Sequence, residues 1–194
     1  MNPFNYRLSR GLSTFDLTQN FVTSYTYSLP FQRSFSTLPK RLTQGWSING
    51  ITRFASGFPM NIAQGGDYSL TGSSGVDHPN YIGGLVFSDP RGAGADGKAH
   101  EYFNKSAFTA EQLGTMGTAD RRFFHGPGIN NWDLGMHKET KLRENLRLQL
   151  RAEFFNAFNH TQFFNPNGNY SSSRFGIVTS AASPRIGQVS MKLL

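Results

Sequence analysis

The chain has 194 residues, of which 16% are charged and 14% aromatic, and its formal net charge at pH 7 is +7. Because soluble proteins average about 25% charged residues, this chain is poor in charge and rich in aromatic side chains. It contains no cysteine, which excludes a disulfide framework and a thiolate metal site, and no apolar run reaches the ~18 residues of a membrane-spanning helix.

Two strands are predicted in the first third of the chain. Residues 16–29 and residues 44–56 each alternate between large and small side chains, the pattern of a half-buried strand. The connection between them, residues 31–43, is predicted to be a short turn. The larger side chains of the two strands are Phe21, Tyr25, Tyr27, Trp46, Ile48 and Phe54.

Residues 57–130 lose this alternation and are rich in Gly, Ser, Asp, Asn and Pro, which predicts a long loop. Such a loop is unusual in a compact domain but ordinary on the outer side of a transmembrane barrel. Within it, Gly92–Gly97 matches G-x-G-x-x-G and, with Lys98, nearly matches a P-loop. Because no buried strand precedes the motif and no amphipathic helix follows it, we expect no nucleotide site.

Two further strands are predicted at residues 131–139 and 145–156, joined by a short polar turn. In the second, five apolar positions alternate with polar ones. Residues two apart would spiral around all sides of a helix, so this pattern indicates a strand. Its polar face consists of Arg147, Gln149, Arg151 and Glu153, which suits a wet lumen behind a lipid-facing surface.

A second long loop, residues 157–184, precedes a last strand at residues 185–194. Short and long connections thus alternate, as periplasmic turns and extracellular loops do in bacterial barrels. The strands have roughly the 9 to 11 residues that cross a bilayer with tilt. The sequence predicts an all-β, antiparallel transmembrane β-barrel. Since five strands are fewer than the ~8 of the smallest barrels, and no signal peptide is recognisable, we expect about the last five strands of a longer barrel.

No catalytic, cofactor or metal site is predicted, and the chain is not expected to be an enzyme. The histidines lie on separate segments without ligand spacing, at His78, His100, His125, His137 and His160. His137, Asp133 and Glu153 are predicted to face the lumen. For His137 the expected role is solvated lining, with contact to a solute or a plug as the alternative, and two acids on separate strands do not indicate acid-base catalysis. Substrate-binding residues stay unassigned, although the loop at 57–130 is expected to take part in selectivity.

Several segments together resemble the C-terminal barrel of Oar-like TonB-dependent receptors, which are abundant in Acidobacteria and related groups. The segments are Gly45-Trp46, Ser56–Pro59, Gly126–Gly128, Asn131–Leu134, Arg151–His160, Phe175-Gly176 and Ser183–Arg185. They occur in the family's order, and the resemblance covers nearly all of residues 1–194. Family members typically have a carboxypeptidase-regulatory-like domain, a plug and a barrel of about 22 strands, so the resemblance implies that this chain corresponds to barrel alone.

The resemblance implies that the protein imports a solute across the outer membrane of a Gram-negative bacterium. The implied partners are outer-membrane lipid and lipopolysaccharide, the TonB complex through a plug domain that this chain does not contain, and the barrel-assembly machinery through the C-terminal strand. One alternative is a secreted or surface β-sandwich that binds carbohydrate through Trp46 and Trp132. Another is nucleic-acid binding, but the basic residues are scattered and Arg121–His125 is their densest patch, so no nucleic-acid partner is expected.

Overall fold

The computed structural model describes residues 6–194, apart from the side chains of Leu8 and Ser9. Its elements are a 3-10 turn at Tyr6–Ser9, β1 (Asn20–Ser28), α1 (Phe31–Ser34), α2 (Lys40–Thr43), β2 (Trp46–Ala55), β3 (Asn80–Tyr81), a 3-10 turn at Lys105–Ala107, β4 (Phe108–Thr109), β5 (Ile129–Arg143), β6 (Leu146–Phe155) and β7 (Ile186–Leu193). Within residues 6–194, no helix is long and apolar enough to cross a membrane.

The described chain divides into two compact units. The sheet unit comprises Asn20–Ala55, Asn130–Gln162 and Ser183–Leu194, and the loop unit comprises Ser56–Ile129, Phe163–Ala182 and the described part of Met1–Gln19. The chain passes between the units only where β1, β5 and β7 begin and where β2 and β6 end. All of these strand ends lie at the same end of the sheet. Antiparallel pairing relates β1 to β2 and β6 to both β5 and β7, and β2 is related to β5 by the contact of Phe54 with Trp132 and by the hydrogen bond from the Glu139 amide to the Gly45 carbonyl.

The sheet unit is built on one five-stranded sheet in the order β1-β2-β5-β6-β7. β1 and β2 pair antiparallel without interruption, from Asn20 opposite Ala55 to Ser28 opposite Ser47. β5 pairs with β6, and β6 with β7, in the same antiparallel manner. The prediction of an all-β, antiparallel fold is confirmed.

The connections at the other end of the strands, after β1 and after β5, differ from the sequence-based prediction. β5 continues beyond its predicted end because Lys141 still pairs with Arg147, after which a bulge leads to Arg143 and a two-residue turn. The connection after β1 is not a short turn, since it holds the four-residue helices α1 and α2. Pro30 and Pro39 immediately precede them, where the missing N–H of proline costs no helical hydrogen bond.

One face of the sheet carries aromatic rings near both ends of its strands. At the ends that lead to the loop unit, Phe21 and Phe54 stack with centroids 6.4 Å apart, and Phe54 meets Trp132 edge-on at 5.7 Å. At the opposite ends, Phe31 packs edge-on against Trp46 at 6.1 Å. Trp46 and Phe54 are eight residues apart in β2, about 27 Å along a strand. With the tilt of about 40° that barrel strands have, this spacing corresponds to roughly 20 Å along the membrane normal, somewhat less than the ~25 Å apolar band that aromatic girdles flank in outer-membrane barrels.

A buried lysine completes the girdle that includes Trp46. Lys138 shares its face of β5 with apolar neighbours, and its Nζ donates hydrogen bonds to the carbonyls of Arg41, at 2.9 Å, and Gln44. The same ammonium lies 5.5 Å from the centre of the Trp46 ring. The main-chain carbonyl oxygens of Arg41 and Gln44, near the end of α2, thus accept hydrogen bonds from an ammonium group that would be destabilising on a purely apolar face.

The opposite face of the sheet is polar and internally paired. Arg147 lies 3.1 Å from Glu139 across the β5–β6 pair, and Gln188 donates to Glu153 at 2.7 Å across the β6–β7 pair. Arg151 lies 3.7 Å from the same glutamate. The two faces therefore have the division that the alternation predicted, one apolar and one hydrophilic.

The two stretches predicted only as long loops, 57–130 and 157–184, together form a hydrophobic core. Phe103 and Phe175 are fully buried, with ring centroids 5.0 Å apart. Phe108 packs against both rings, and Met60 and Ile62 are buried in the same cluster. A hydrophobic core assembled from such separated residues shows no sequence period, which is why the alternation analysis predicted no folded unit here.

Candidate functional site

A cavity of about 250 Å³ lies within the loop unit and is the candidate functional site. About half of its wall is polar or charged, and the rest is formed by apolar side chains and glycine, so it can supply both polar and apolar contacts to a small molecule. The lining residues are Asn61, Ala63, Ser69, Thr71, Gly75, Val76, Asp77, His78, Glu111, Met116, Gly117, Ala119 and Arg121.

The small sheet of the loop unit brings the two acidic residues of this cavity together. Asp77 lies just before β3 and Glu111 just after β4, and these strands pair with Asn80 opposite Thr109. The side chain of Gln64 fixes the second position, since its Oε1 accepts a hydrogen bond from the Glu111 backbone at 3.1 Å. Two carboxyl groups that are far apart in sequence thus share one wall.

Asp77 and Glu111 form a buried carboxyl pair of unequal acidity. Burial by itself would raise the pKa of Asp77, but hydrogen bonds from the Ser69 hydroxyl at 2.6 Å and the Ser69 amide at 3.1 Å lower it below its usual value. The pKa of Glu111 is raised to about 7, mainly by burial and in part by its hydrogen bond with Asp77. Near neutral pH the pair therefore shares a proton that is readily lost.

His78 adds a neutral imidazole to the same cavity. Its Nδ1 contacts the carbonyl oxygen of Ile62, which can only accept, so Nδ1 carries the proton and Nε2 is left as an acceptor. Burial lowers the pKa of His78, and the nearby positive charge of Arg121 lowers it as well. A Cβ at Gly117 would overlap the backbone carbonyl of His78, so glycine is required where this segment passes the main chain of His78 and Pro79.

Arg121 lies on the exposed part of the cavity wall. Within residues 6–194 its guanidinium makes no hydrogen bond or ion pair, while its backbone carbonyl accepts from Ile62. The cavity therefore presents hydrogen-bond acceptors in its buried wall and the guanidinium N–H donors of Arg121 at its exposed side.

The other buried or clustered acids of the loop unit are used in turns. Asp67 accepts hydrogen bonds from the amides of Thr71 and Gly72 at 2.9 and 2.8 Å. Glu101, which is fully buried, accepts one from the Asp96 amide at 2.9 Å through its Oε2, while its Oε1 has no donor among the described residues and lies outside the cavity lining. Across the described residues, no three or more His, Cys, Asp or Glu side chains are grouped to hold a metal ion.

The glycine-rich segment Gly92–Gly97 forms a closed turn. Gly94 donates to the Lys98 carbonyl at 3.0 Å, and Gly97 donates back to Gly94 at 3.0 Å. No helix follows the motif, so its amides are not arranged in the strand–loop–helix geometry that cradles phosphate.

The basic and aromatic patch Arg121–His125 is largely turned inward. Phe124 is buried in the core of the loop unit and Phe123 packs against that core. Arg122 Nε donates to the carbonyl of Leu12, and His125 Nε2 lies 2.8 Å from Asp16 Oδ2. The patch therefore fastens the N-terminal segment and does not form an open basic surface.

The two tryptophans considered for carbohydrate binding are packed within the sheet unit. Trp46 donates from Nε1 to the Leu42 carbonyl at 2.7 Å besides its contact with Phe31. Trp132 lies between Phe54 and Phe158, with the latter ring centroid 5.5 Å away. Both rings occupy girdle positions and do not form a sugar-stacking platform.

The cavity residues Asp77, His78 and Glu111 were not identified from the sequence as a site. No motif connects them, because their proximity depends on the β3–β4 pairing and not on spacing. The available indication was the concentration of Phe in the supposed loop, such as Phe103 and Phe108, which an extended loop has no reason to carry.

An antiparallel sheet with one apolar, aromatic-flanked face and one hydrophilic face defines the wall of a transmembrane β-barrel. A comparison with models of protein families matches residues 1–188 to an outer membrane beta barrel domain. The chain therefore belongs to this family, and the protein is located in the outer membrane of a Gram-negative bacterium. No curated protein and no solved structure matches the chain.

Proposed function

We propose that the chain is part of a TonB-dependent transporter that imports a solute across the outer membrane. The observation that carries the proposal is the sheet itself: its apolar face faces lipid and its polar face lines a lumen, within a family of outer-membrane barrels. The motifs that resemble Oar-like receptors add the TonB-dependent class. The five strands contribute barrel wall, and β1 and β7 pair with further strands at the two edges of the sheet.

The resembling motifs also have structural roles that suit a barrel rim. Asn156, at the end of β6, has a positive φ of 50°. Its side chain accepts from the His160 amide and donates to the His160 carbonyl, both at 2.9 Å. Asp133 accepts from the Asn156 amide at 2.9 Å. This network ends the strand and redirects the chain toward the loop unit.

The proposed orientation follows from the connections. The loop unit is extracellular, because all of its segments connect to the strands at the same end of the sheet and long connections are extracellular in bacterial barrels. The two-residue turn after β5 and the C-terminal end of β7 are periplasmic. The remaining proposed partners are lipid and lipopolysaccharide around the apolar face, TonB through a plug domain, and the barrel-assembly machinery at β7.

The orientation is tested by labelling single cysteines in intact cells, since the chain has no cysteine of its own. Gly92→Cys lies in the loop unit and Glu144→Cys in the β5–β6 turn, and both positions are exposed. A bulky, membrane-impermeant maleimide should label Gly92→Cys at once and Glu144→Cys only after the outer membrane is permeabilised. The reverse pattern would refute the orientation.

The TonB-dependent class needs a separate test. The native outer-membrane protein that carries this chain, solubilised in mild detergent, is passed over an immobilised periplasmic domain of TonB from the same bacterium. Retention of the protein, with passage of a porin from the same extract as the control, supports the proposal. Passage of both proteins contradicts TonB dependence while leaving the outer-membrane location intact.

A further inference from the structure

The cavity of the loop unit contains an acceptor that the protein does not satisfy with a donor of its own. Glu111 is only 3% exposed. Its Oε2 accepts a hydrogen bond from the Gly117 amide at 2.9 Å. Among the described residues no N–H or hydroxyl donor reaches its Oε1, which is hydrogen-bonded only while the carboxyl pair holds its shared proton. Once that proton is lost, a buried acceptor is left without a partner, and buried acceptors are nearly always hydrogen-bonded. This wall is therefore suited to a ligand that brings N–H donors.

The charges around the cavity restrict which ligand fits. The groups that face Glu111 are Asp77, which is ionised, His78, which is neutral, and the cationic Arg121. A simple anion would meet two carboxyl groups, and a simple cation would meet the Arg121 guanidinium, which has no acidic partner within residues 6–194. A molecule that carries both an ammonium and a carboxylate meets a partner for each charge.

The size and the apolar part of the wall narrow the class further. A cavity of about 250 Å³ exceeds the ~150 Å³ that suffices to enclose benzene. Val76, Met116 and Ala119 supply apolar contacts beside the charged groups. This combination suits an amino acid with an aliphatic side chain.

We propose that the cavity binds a small zwitterion of the amino-acid class, with its ammonium on the Asp77–Glu111 pair and its carboxylate on Arg121. On binding, the ligand N–H groups take the place of the proton that Asp77 and Glu111 share. That proton passes to solvent, and Glu111 becomes a carboxylate. The site is a property of the loop unit and does not depend on TonB-dependent transport, so either idea can fail without the other.

The test is calorimetric titration of the full chain in detergent micelles at pH 7, using L-leucine and two analogues. Isoamylamine lacks the carboxylate of leucine, and 4-methylpentanoate lacks the ammonium. Leucine should bind, and each analogue should bind roughly tenfold more weakly or worse, because each lacks one charge-assisted contact. Absence of leucine binding, or equal binding of either analogue, would overturn the proposal.

Three variants locate the site. Glu111→Gln should weaken leucine roughly tenfold or more, and the exposed Arg121→Gln should do the same without weakening isoamylamine. Asp120→Asn, an exposed neighbour outside the cavity lining, should bind like the unmodified chain. Unchanged leucine binding in Arg121→Gln would refute the assignment even if Glu111→Gln failed to fold. Retained hydrogen-exchange protection of the Tyr102 amide, which donates to the Gly176 carbonyl at 2.8 Å, checks folding in each sample.

Discussion

Replacing Glu111 with glutamine tests whether the loop unit loosens as the pH rises through neutrality. The folded-state pKa of Glu111, about 7, lies above its ordinary value of 4.5. A carboxyl with a raised pKa stabilises the fold while it is protonated. This contribution is fully present below pH 4.5 and is lost as the pH rises through 7.

The size of the effect follows from those two values. The whole contribution is at most about 3 kcal/mol. Between pH 6 and pH 8 a group with a pKa of about 7 loses about 1.4 kcal/mol, or roughly a factor of ten in the opening equilibrium. Glutamine at position 111 still offers an N–H donor to Asp77 but cannot ionise. The stability of Glu111→Gln should therefore not depend on pH in this range.

Native-state hydrogen exchange at the Gly117 amide measures the effect directly, because that amide donates to Glu111 Oε2. After correction for the intrinsic rate, its protection should fall about tenfold from pH 6 to pH 8 and stay flat in Glu111→Gln. Asp120→Asn, with an exposed side chain, is the matched control and should behave like the unmodified chain. An equal fall in Glu111→Gln would refute the role assigned to the carboxyl pair.

Four further outcomes are expected. Phe103→Ala should destabilise the loop unit by about 3–5 kcal/mol, measured by proteolysis, whereas the exposed Phe164→Ala should change little. Gly117→Ala should cost about 1–3 kcal/mol in the same assay because its Cβ overlaps backbone, whereas Gly92→Ala, whose Cβ would make only an ordinary contact with the Asp89 carbonyl at 3.9 Å, should be tolerated. Asp16→Asn should make the N-terminal segment easier for a protease to cleave, because the substitution weakens the hydrogen bond between Asp16 Oδ2 and His125 Nε2. The chain should sediment as aggregates in plain buffer and as a single species in detergent, because the sheet exposes an apolar face and two edges.

The strands and their faces could be predicted from the sequence because alternation is a local property. Side chains two apart share a face whatever the rest of the fold does, so residues such as Leu148, Leu150 and Phe154 identify the apolar side of β6 by themselves. Pairing then only had to join faces of the same kind, as Leu150 with Met191.

The ends of the elements and the loop unit were decided by tertiary structure. β5 runs past its predicted end because β6 continues to supply hydrogen-bond partners. The cavity exists because β3 and β4, each only two residues long, pair next to a core of separated aromatic residues. Asp77 and Glu111 perturb each other's acidity only when that pairing holds them together in a buried wall. The sequence by itself determined which residues face lipid and which face water, since that depends on period alone, whereas the site depends on contacts between distant segments that no period encodes.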